Sequence, residues 1–158
     1  MALYPVAGCH IFLGGVLSDK ATDFIAADFT SQVWTEIDGW VAAGPIGDTG
    51  QLITTPIINR GRDIKQKGTS NAGNMQNEFA QNVTDAGQLL LIAAAQPTDK
   101  NNRAIRVDLN DAVGGAPSKR FFIALIMNAE EVGGGANTIR MLRSTFEVNS
   151  NIVRVAAT

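Results

Sequence analysis

A long polar stretch in the middle of the sequence, residues 59–74, constrains the fold more than any other segment. It separates an extended apolar run, residues 52–58, from a second run, residues 75–79, in which apolar and polar residues alternate. Both runs are typical of β-strands, because β-branched and alternating apolar side chains suit a half-buried pleated surface. Connections in compact domains are usually only about 4–6 residues long. We therefore expect residues 59–74 to form a surface loop or a projecting arm.

One segment after these strands predicts an α-helix. Thr84 or Asp85 can act as the N-cap, because either side chain can accept a free backbone N–H of the first turn. We expect the helix to end near Gln96, since Pro97 disfavours helical backbone at the residue before it. The apolar residues predicted to form its buried face recur at helical spacing: Leu89, Ile92 and Ala93.

Most of the remaining sequence predicts further strands. These segments are residues 8–13, 33–37, 40–43, 104–109, 120–127 and 138–148. Residues 120–127 form the most apolar run and predict a central strand that is buried on both faces. Residues 149–151 predict a turn into residues 152–156, which would complete a terminal hairpin. Residues 17–29 fit either one helical face or short extended pieces, and the pattern does not decide between them.

About seven or eight strands and one helix predict a mainly β protein, an antiparallel β-sandwich or small barrel with one flanking α-helix. The chain has 158 residues, and a typical domain has roughly 100–150, so we expect residues 1–158 to form a single domain. Charged residues make up 18%, against about 25% in average proteins, which favours a surface that is partly used in assembly.

The composition argues against several classes of function. A formal charge of −2 provides no basic field that would attract DNA. Cys9 and His10 are the only residues of their kinds, and neighbours on a strand point to opposite faces, so they cannot form one catalytic or metal site. Glu130 and Glu131 are neighbours on a predicted loop, which is a poor arrangement for two opposed catalytic carboxylates. We therefore expect no enzymatic activity, no cofactor and no metal, and the lack of a long apolar run predicts no membrane insertion.

Several features follow one another in an order that is similar to that of a known family. They are residues 34–40, the glycine-rich turn at 44–50, the strand at 53–58, the run 71–79, the helix start at 85–89, the strand around Phe121 and the terminal hairpin. Together they resemble the tail tube, or major tail, proteins of long-tailed, siphophage-like bacteriophages. The resemblance extends from about Val33 to the end of the chain, and it rests on order and spacing rather than on one diagnostic motif.

The resemblance implies a structural protein of the virion tail, assembled in the bacterial host cytoplasm. Subunits would close into hexameric rings by joining sheets edge to edge, and the rings would stack into a hollow tube. The tape-measure protein and the genomic DNA would pass through its lumen without specific DNA binding, and tail terminator and baseplate or tip proteins would bind its ends. The residues expected at contacts between rings or subunits lie in the polar stretch: Arg60, Arg62, Lys65, Lys67, Asn71 and Gly73.

Two other functions are compatible with the sequence. The chain could be the tube protein of a contractile secretion-type machine, which has the same architecture. It could also be a monomeric β-sandwich module that binds a carbohydrate or a protein through residues 59–74 and 110–118. The second alternative predicts a stable monomer with a ligand cleft.

Overall fold

The computed structural model describes all 158 residues and has eleven β-strands and one α-helix. The strands are β1 (His10–Val16), β2 (Thr35–Glu36), β3 (Trp40–Ala42), β4 (Thr49–Thr55), β5 (Ile64–Asn71), β6 (Asn74–Ala80), β7 (Arg103–Asp108), β8 (Lys119–Ile126), β9 (Glu130–Val132), β10 (Met141–Val148) and β11 (Val153–Val155). The helix α1 spans Ala86–Ala94 and lies between β6 and β7 in the chain. All strand pairs are antiparallel, so the predicted fold class is confirmed.

Nine strands form one curled sheet. Its order is β2-β1-β7-β8-β10-β6-β3, with β9 paired to β10 and β11 paired to β8. The strands at its two ends, β2 and β3, follow each other in the chain and are joined only by residues 37–39. Such a connection spans at most about 14 Å, so the two edges must lie close together. This sheet and α1 are called the body below.

Glu130 and Glu131 lie on β9, where the sequence predicted a loop. β9 continues the line of β8, because the two pair with successive parts of β10. Asn128 fills the interruption between them: its carbonyl accepts the hydroxyl of Ser144 at 2.7 Å, and its side chain accepts the N–H of Thr145 at 2.8 Å. The prediction of a loop was wrong. β9 is held by backbone pairing with β10, and this pairing leaves the glutamates exposed.

The predicted terminal hairpin is also wrong, because β11 continues β10 instead of folding back on it. β10 pairs with β8 as far as Val148, and β11 pairs with the same strand from Val153 onward. Between them the hydroxyl of Ser150 accepts the N–H of Ile123 at 3.0 Å, in place of a backbone carbonyl. The polar residues 149–151 therefore form a bulge that resembles a turn in sequence.

The main core lies on the inner face of the curled sheet. The predicted strand parities are confirmed here, since the alternating apolar residues of β6, β7, β8 and β10 are buried together: Met75, Phe79, Ile105, Val107, Phe122, Ala124, Ile126, Leu142, Phe146 and Val148. Leu91 and Ala94 of α1 complete this cluster. The burial of β8 on both faces is confirmed as well, because Ile123 packs in a second cluster on the other side.

Helix α1 begins as predicted but buries a different face. Asp85 is the N-cap, and its carboxylate accepts the N–H of Gln88 at 2.8 Å. Leu91 is fully buried, whereas Leu89 is 53% exposed and Ala93 is exposed as well. Of the predicted face only Ile92 packs on the core, so the prediction was wrong for the other two residues. Because α1 contains no charged residue, its sequence does not show which face of the helix is exposed to solvent. The last helical residue is Ala94, close to the predicted end.

Residues 17–34 cover the outer face of β7 and β8. They form irregular backbone and one turn of 3₁₀-helix, Ala26–Phe29. Phe24 and Phe29 pack there on Ala104 and Ile123 in the second cluster. The side chain of Asn151 fixes this cover, because it accepts the N–H of Phe24 at 2.7 Å and donates to the carbonyl of the same residue at 3.0 Å.

Candidate functional site

The most distinctive surface of the protein is a two-stranded arm outside the curled sheet. β4 and β5 pair only with each other, from Thr49 opposite Asn71 to Thr55 opposite Ile64. We call residues 49–71 the arm. Most of its side chains are exposed, including Ile58, which is fully exposed. The polar stretch therefore forms the tip and the second strand of a projecting arm. Its strand, β5, is held by backbone pairing with β4 and not by burial.

Four of the predicted contact residues lie in the tip of the arm and on β5. Arg60 and Arg62 are in the tip, residues 56–63, where the chain reverses between the strands. Lys65 and Lys67 are two residues apart on β5 and therefore point to the same face. None of these four side chains takes part in the six ion pairs of the structure. The structure thus leaves all four charges available for an intermolecular contact.

The other two predicted residues, Asn71 and Gly73, lie at the root of the arm. Gly73 has a φ of +67°, a left-handed conformation that favours glycine. The side chain of Asn71 accepts the N–H of Gly73 at 2.8 Å, and the carbonyl of Gly73 accepts the N–H of Val148 at 3.0 Å. These bonds fix the direction in which the arm leaves the body.

Charge is divided unequally between the arm and the body. The arm has the basic residues Arg60, Arg62, Lys65 and Lys67 and the acidic residue Asp63, which gives it a formal charge of +3. Because the whole chain has a formal charge of −2, the rest of the chain has −5. Attraction is therefore expected between the arm of one copy and the remainder of another.

A cleft of about 640 Å³ lies where the arm joins the body, and we call it the root cleft. Its lining is mostly polar: Asp23, Asp48, Gln51, Thr69, Ser70, Asn71, Ala72, Val148, Asn149, Ser150 and Asn151. Asp23 and Asp48 are exposed, and neither forms an ion pair. This cleft was not predictable from the sequence, because its lining combines segments that are far apart in the chain.

Cys9 and His10 lie at the start of β1. His10 contacts the carboxylate of Glu36 on β2 through Nδ1, whereas Cys9 is half-buried just before β1. No group of three or more His, Cys, Asp or Glu side chains is arranged to hold a metal ion. The helices of this structure are all too short or too polar to cross a bilayer.

No protein-family model matches the sequence, and the comparison with curated proteins finds no significant relative. Similarity is found instead among solved structures. A chain of the PVC sheath/tube terminator, from an extracellular contractile injection system in the extended state, has a TM-score of 0.70 at 15% identity, with 99% of each chain covered. A chain of the PVC sheath-tube complex has a TM-score of 0.66 at 13% identity, covering 98% of this chain and 93% of that one.

The SPP1 tail tube is also similar in structure. Its TM-score is 0.64 at 13% identity, and the match covers 96% of this chain and 80% of the tail tube chain. At these identities the likeness is one of fold, and it includes both the body and the arm because coverage is nearly complete. The chain therefore has the fold found in the tubes of phage tails and contractile injection systems.

Proposed function

We propose that this protein is the subunit of a hollow tail tube. Copies close into hexameric rings, and the rings stack into a tube that conducts the tape-measure protein and the genomic DNA into the host. The subunit has a structural role and catalyses no reaction. Its other partners are the tail terminator and the baseplate or tip proteins, and its location is the virion tail after assembly in the host cytoplasm. It does not insert into a membrane.

The observation that carries this proposal is the similarity of fold over almost the whole chain. The match to the SPP1 tail tube and the matches to the PVC structures all extend over at least 96% of this chain. A second support is the arm, whose two long strands each have an unpaired outer edge. Such edges pair readily with another chain, and pairing between copies protects them.

The arm provides the contacts between subunits or rings in this proposal. Arg60, Arg62, Lys65 and Lys67 supply positive charges, while Asn71 and Gly73 set the direction of the arm. Each exposed ion pair contributes only about 0.2–1 kcal/mol, so one contact is weak. A ring repeats the same contact in every subunit, and the repeated contacts act together.

A tube within a contractile injection machine is the second candidate. It is supported by the similarity to the PVC sheath-tube complex and to the cap that terminates the anti-feeding prophage tube, which has a TM-score of 0.64 at 16% identity. In this case a contractile sheath would surround the tube. Co-expression of this protein with the proteins encoded next to it distinguishes the two candidates. Only the contractile injection machine predicts a sheath around the tube.

Electron microscopy of the purified protein at increasing concentration tests the proposal. We expect rings and hollow tubes. A protein that remains monomeric under all conditions would contradict the proposal and support the alternative of a monomeric binding module, which binds its ligand through residues 59–74 and 110–118.

A shortened arm provides the matched control for this experiment. Thr55 and Ile64 lie directly opposite each other, so an Asn-Gly dipeptide can replace residues 56–63 and still close the hairpin. We expect this variant to keep the thermal stability of the parent protein and to form no tubes. Tubes of normal length would show that the tip has no role in stacking.

A further inference from the structure

The tip of the arm and the root cleft are chemically complementary. The tip carries Arg60 and Arg62, and a guanidinium group donates several N–H bonds but accepts none. The root cleft offers the carboxylates of Asp23 and Asp48 together with side-chain amide and hydroxyl oxygens. Neither the arginines nor the aspartates have an ionic partner within the chain.

The tip cannot reach the root cleft of its own chain. β4 and β5 remain paired from the root to the tip, so the arm has the extended length of its strands. The seven residues of β4 at a rise of about 3.3 Å each place the tip roughly 20 Å from the root. Any root cleft that receives the tip must belong to another copy of the chain.

The charge distribution also argues for contact between arm and body rather than between two arms. Two arms of formal charge +3 repel each other, whereas an arm and the remainder of another copy attract. In that remainder, Asp23 and Asp48 place free carboxylates beside hydrogen-bond acceptors in the concave surface of the root cleft.

We infer that the tip of the arm in one copy, through Arg60 and Arg62, binds in the root cleft of a second copy, beside Asp23 and Asp48. This inference rests on the proposed function and names the receiving surface for the arm. The contact joins different surfaces of the two copies, so it is head-to-tail and repeats without closing when each copy is displaced along the arm. A repeat of this kind is what the stacking of rings requires.

Charge reversal tests the contact. The first variant combines Asp23→Lys with Asp48→Lys, and the second combines Arg60→Glu with Arg62→Glu. Each variant alone meets like charges at the contact, and we expect each to need at least about tenfold more protein than the parent to form tubes. Mixed in equal amounts, the two variants have complementary charges at both kinds of contact. We expect the mixture to form tubes at a concentration near that of the parent protein.

The matched control combines Asp19→Lys with Glu130→Lys, which makes the same change in charge at exposed positions outside the root cleft. We expect this control to assemble like the parent. Normal assembly of the cleft variant, or failure of the mixture while both variants retain the parent's thermal stability, would overturn the inference but not the proposed function. If the parent itself forms no rings or tubes, the proposed function fails, and the inference fails with it.

Discussion

A methyl group added to Gly87, in the first turn of α1, would lie 2.0 Å from the carbonyl oxygen of Glu36 on β2. The helix therefore approaches the edge of the sheet at a point where only glycine fits. Next to it, the buried side chain of Gln88 donates to the carbonyls of Asp38 and Ala80, at 2.9 and 2.8 Å. These contacts bind the helix to β2, to the end of β6 and to the short segment that joins the two ends of the curled sheet.

Gly87→Ala should destabilise the protein strongly. The added methyl group must displace backbone rather than a flexible side chain, and we expect the free energy of unfolding to fall by about 1–3 kcal/mol. Denaturant unfolding measures this loss. Gly133→Ala is the control, because no atom lies within 4 Å of the position that its methyl group would take. Equal stability of the two variants would contradict the close packing of α1 on β2.

Leu91→Ala and Leu89→Ala distinguish the two faces of α1. Leu91 is fully buried, so its truncation should lower the free energy of unfolding by about 2–5 kcal/mol. Leu89 is largely exposed, and its truncation in the unassembled protein should change that energy by less than about 0.5 kcal/mol. The reverse order of the two effects would indicate that the helix is rotated.

Asn151→Ala should loosen the cover over the outer face of the sheet. It removes the two hydrogen bonds to Phe24, and leaving these half-buried backbone groups unpaired should cost about 1–3 kcal/mol. Amide hydrogen exchange at Phe24 should become faster. Asn137→Ala changes the same side chain at an exposed position outside the cover and should leave that exchange rate unchanged.

Stability should fall in acid. The backbone N–H of Ile25 and then Lys20 hold the pKa of Asp28 below its ordinary value of 3.8, and the side chain and backbone of Ser118 do the same for the pKa of Asp111. Because both pKa values are lower in the folded state, their contribution is complete at pH above 3.8 and is lost as the pH falls through the folded values.

Thermal unfolding between pH 7 and pH 3 measures this dependence. We expect the Tm to change little down to about pH 5 and to fall below about pH 4. Asp111→Asn removes one of the titrating groups, so its Tm should fall less steeply with acid than that of the parent. An equally steep fall would exclude Asp111 as a contributor.

Burial explains which parts of the fold were predictable from the sequence. Met75 and Phe79 alternate with polar residues, and Leu142 and Phe146 do the same, so the pattern identified both the strands and their inner faces. Residues 120–127 were identified as a central strand because both of their faces are apolar. In each case at least one side of the strand is buried, and the buried side is recognisable from its apolar residues.

The errors in the strands occur where backbone groups are satisfied without burial. β5 contains only one apolar residue, Ile64, and it forms because its backbone pairs with β4. Ser150 and Asn128 lie in segments whose sequence is typical of turns. Their side chains instead replace backbone hydrogen bonds between neighbouring strands. The polar stretch itself was recognised as a candidate site, whereas Asp23 and Asp48 gave no signal because only the folded chain brings them together.

The order of strands in the curled sheet has a consequence for synthesis on the ribosome. Ile11 of β1 pairs with Val107 of β7, so the first strand has no partner on that side until most of the chain has been made. At elongation rates of about 5–20 residues per second, the intervening segment takes roughly 5–20 s to appear. The arm joins strands that are neighbours in sequence, and such hairpins form within about 1–10 μs. Both strands of the arm are therefore free to pair while the body that will hold the arm is still unformed.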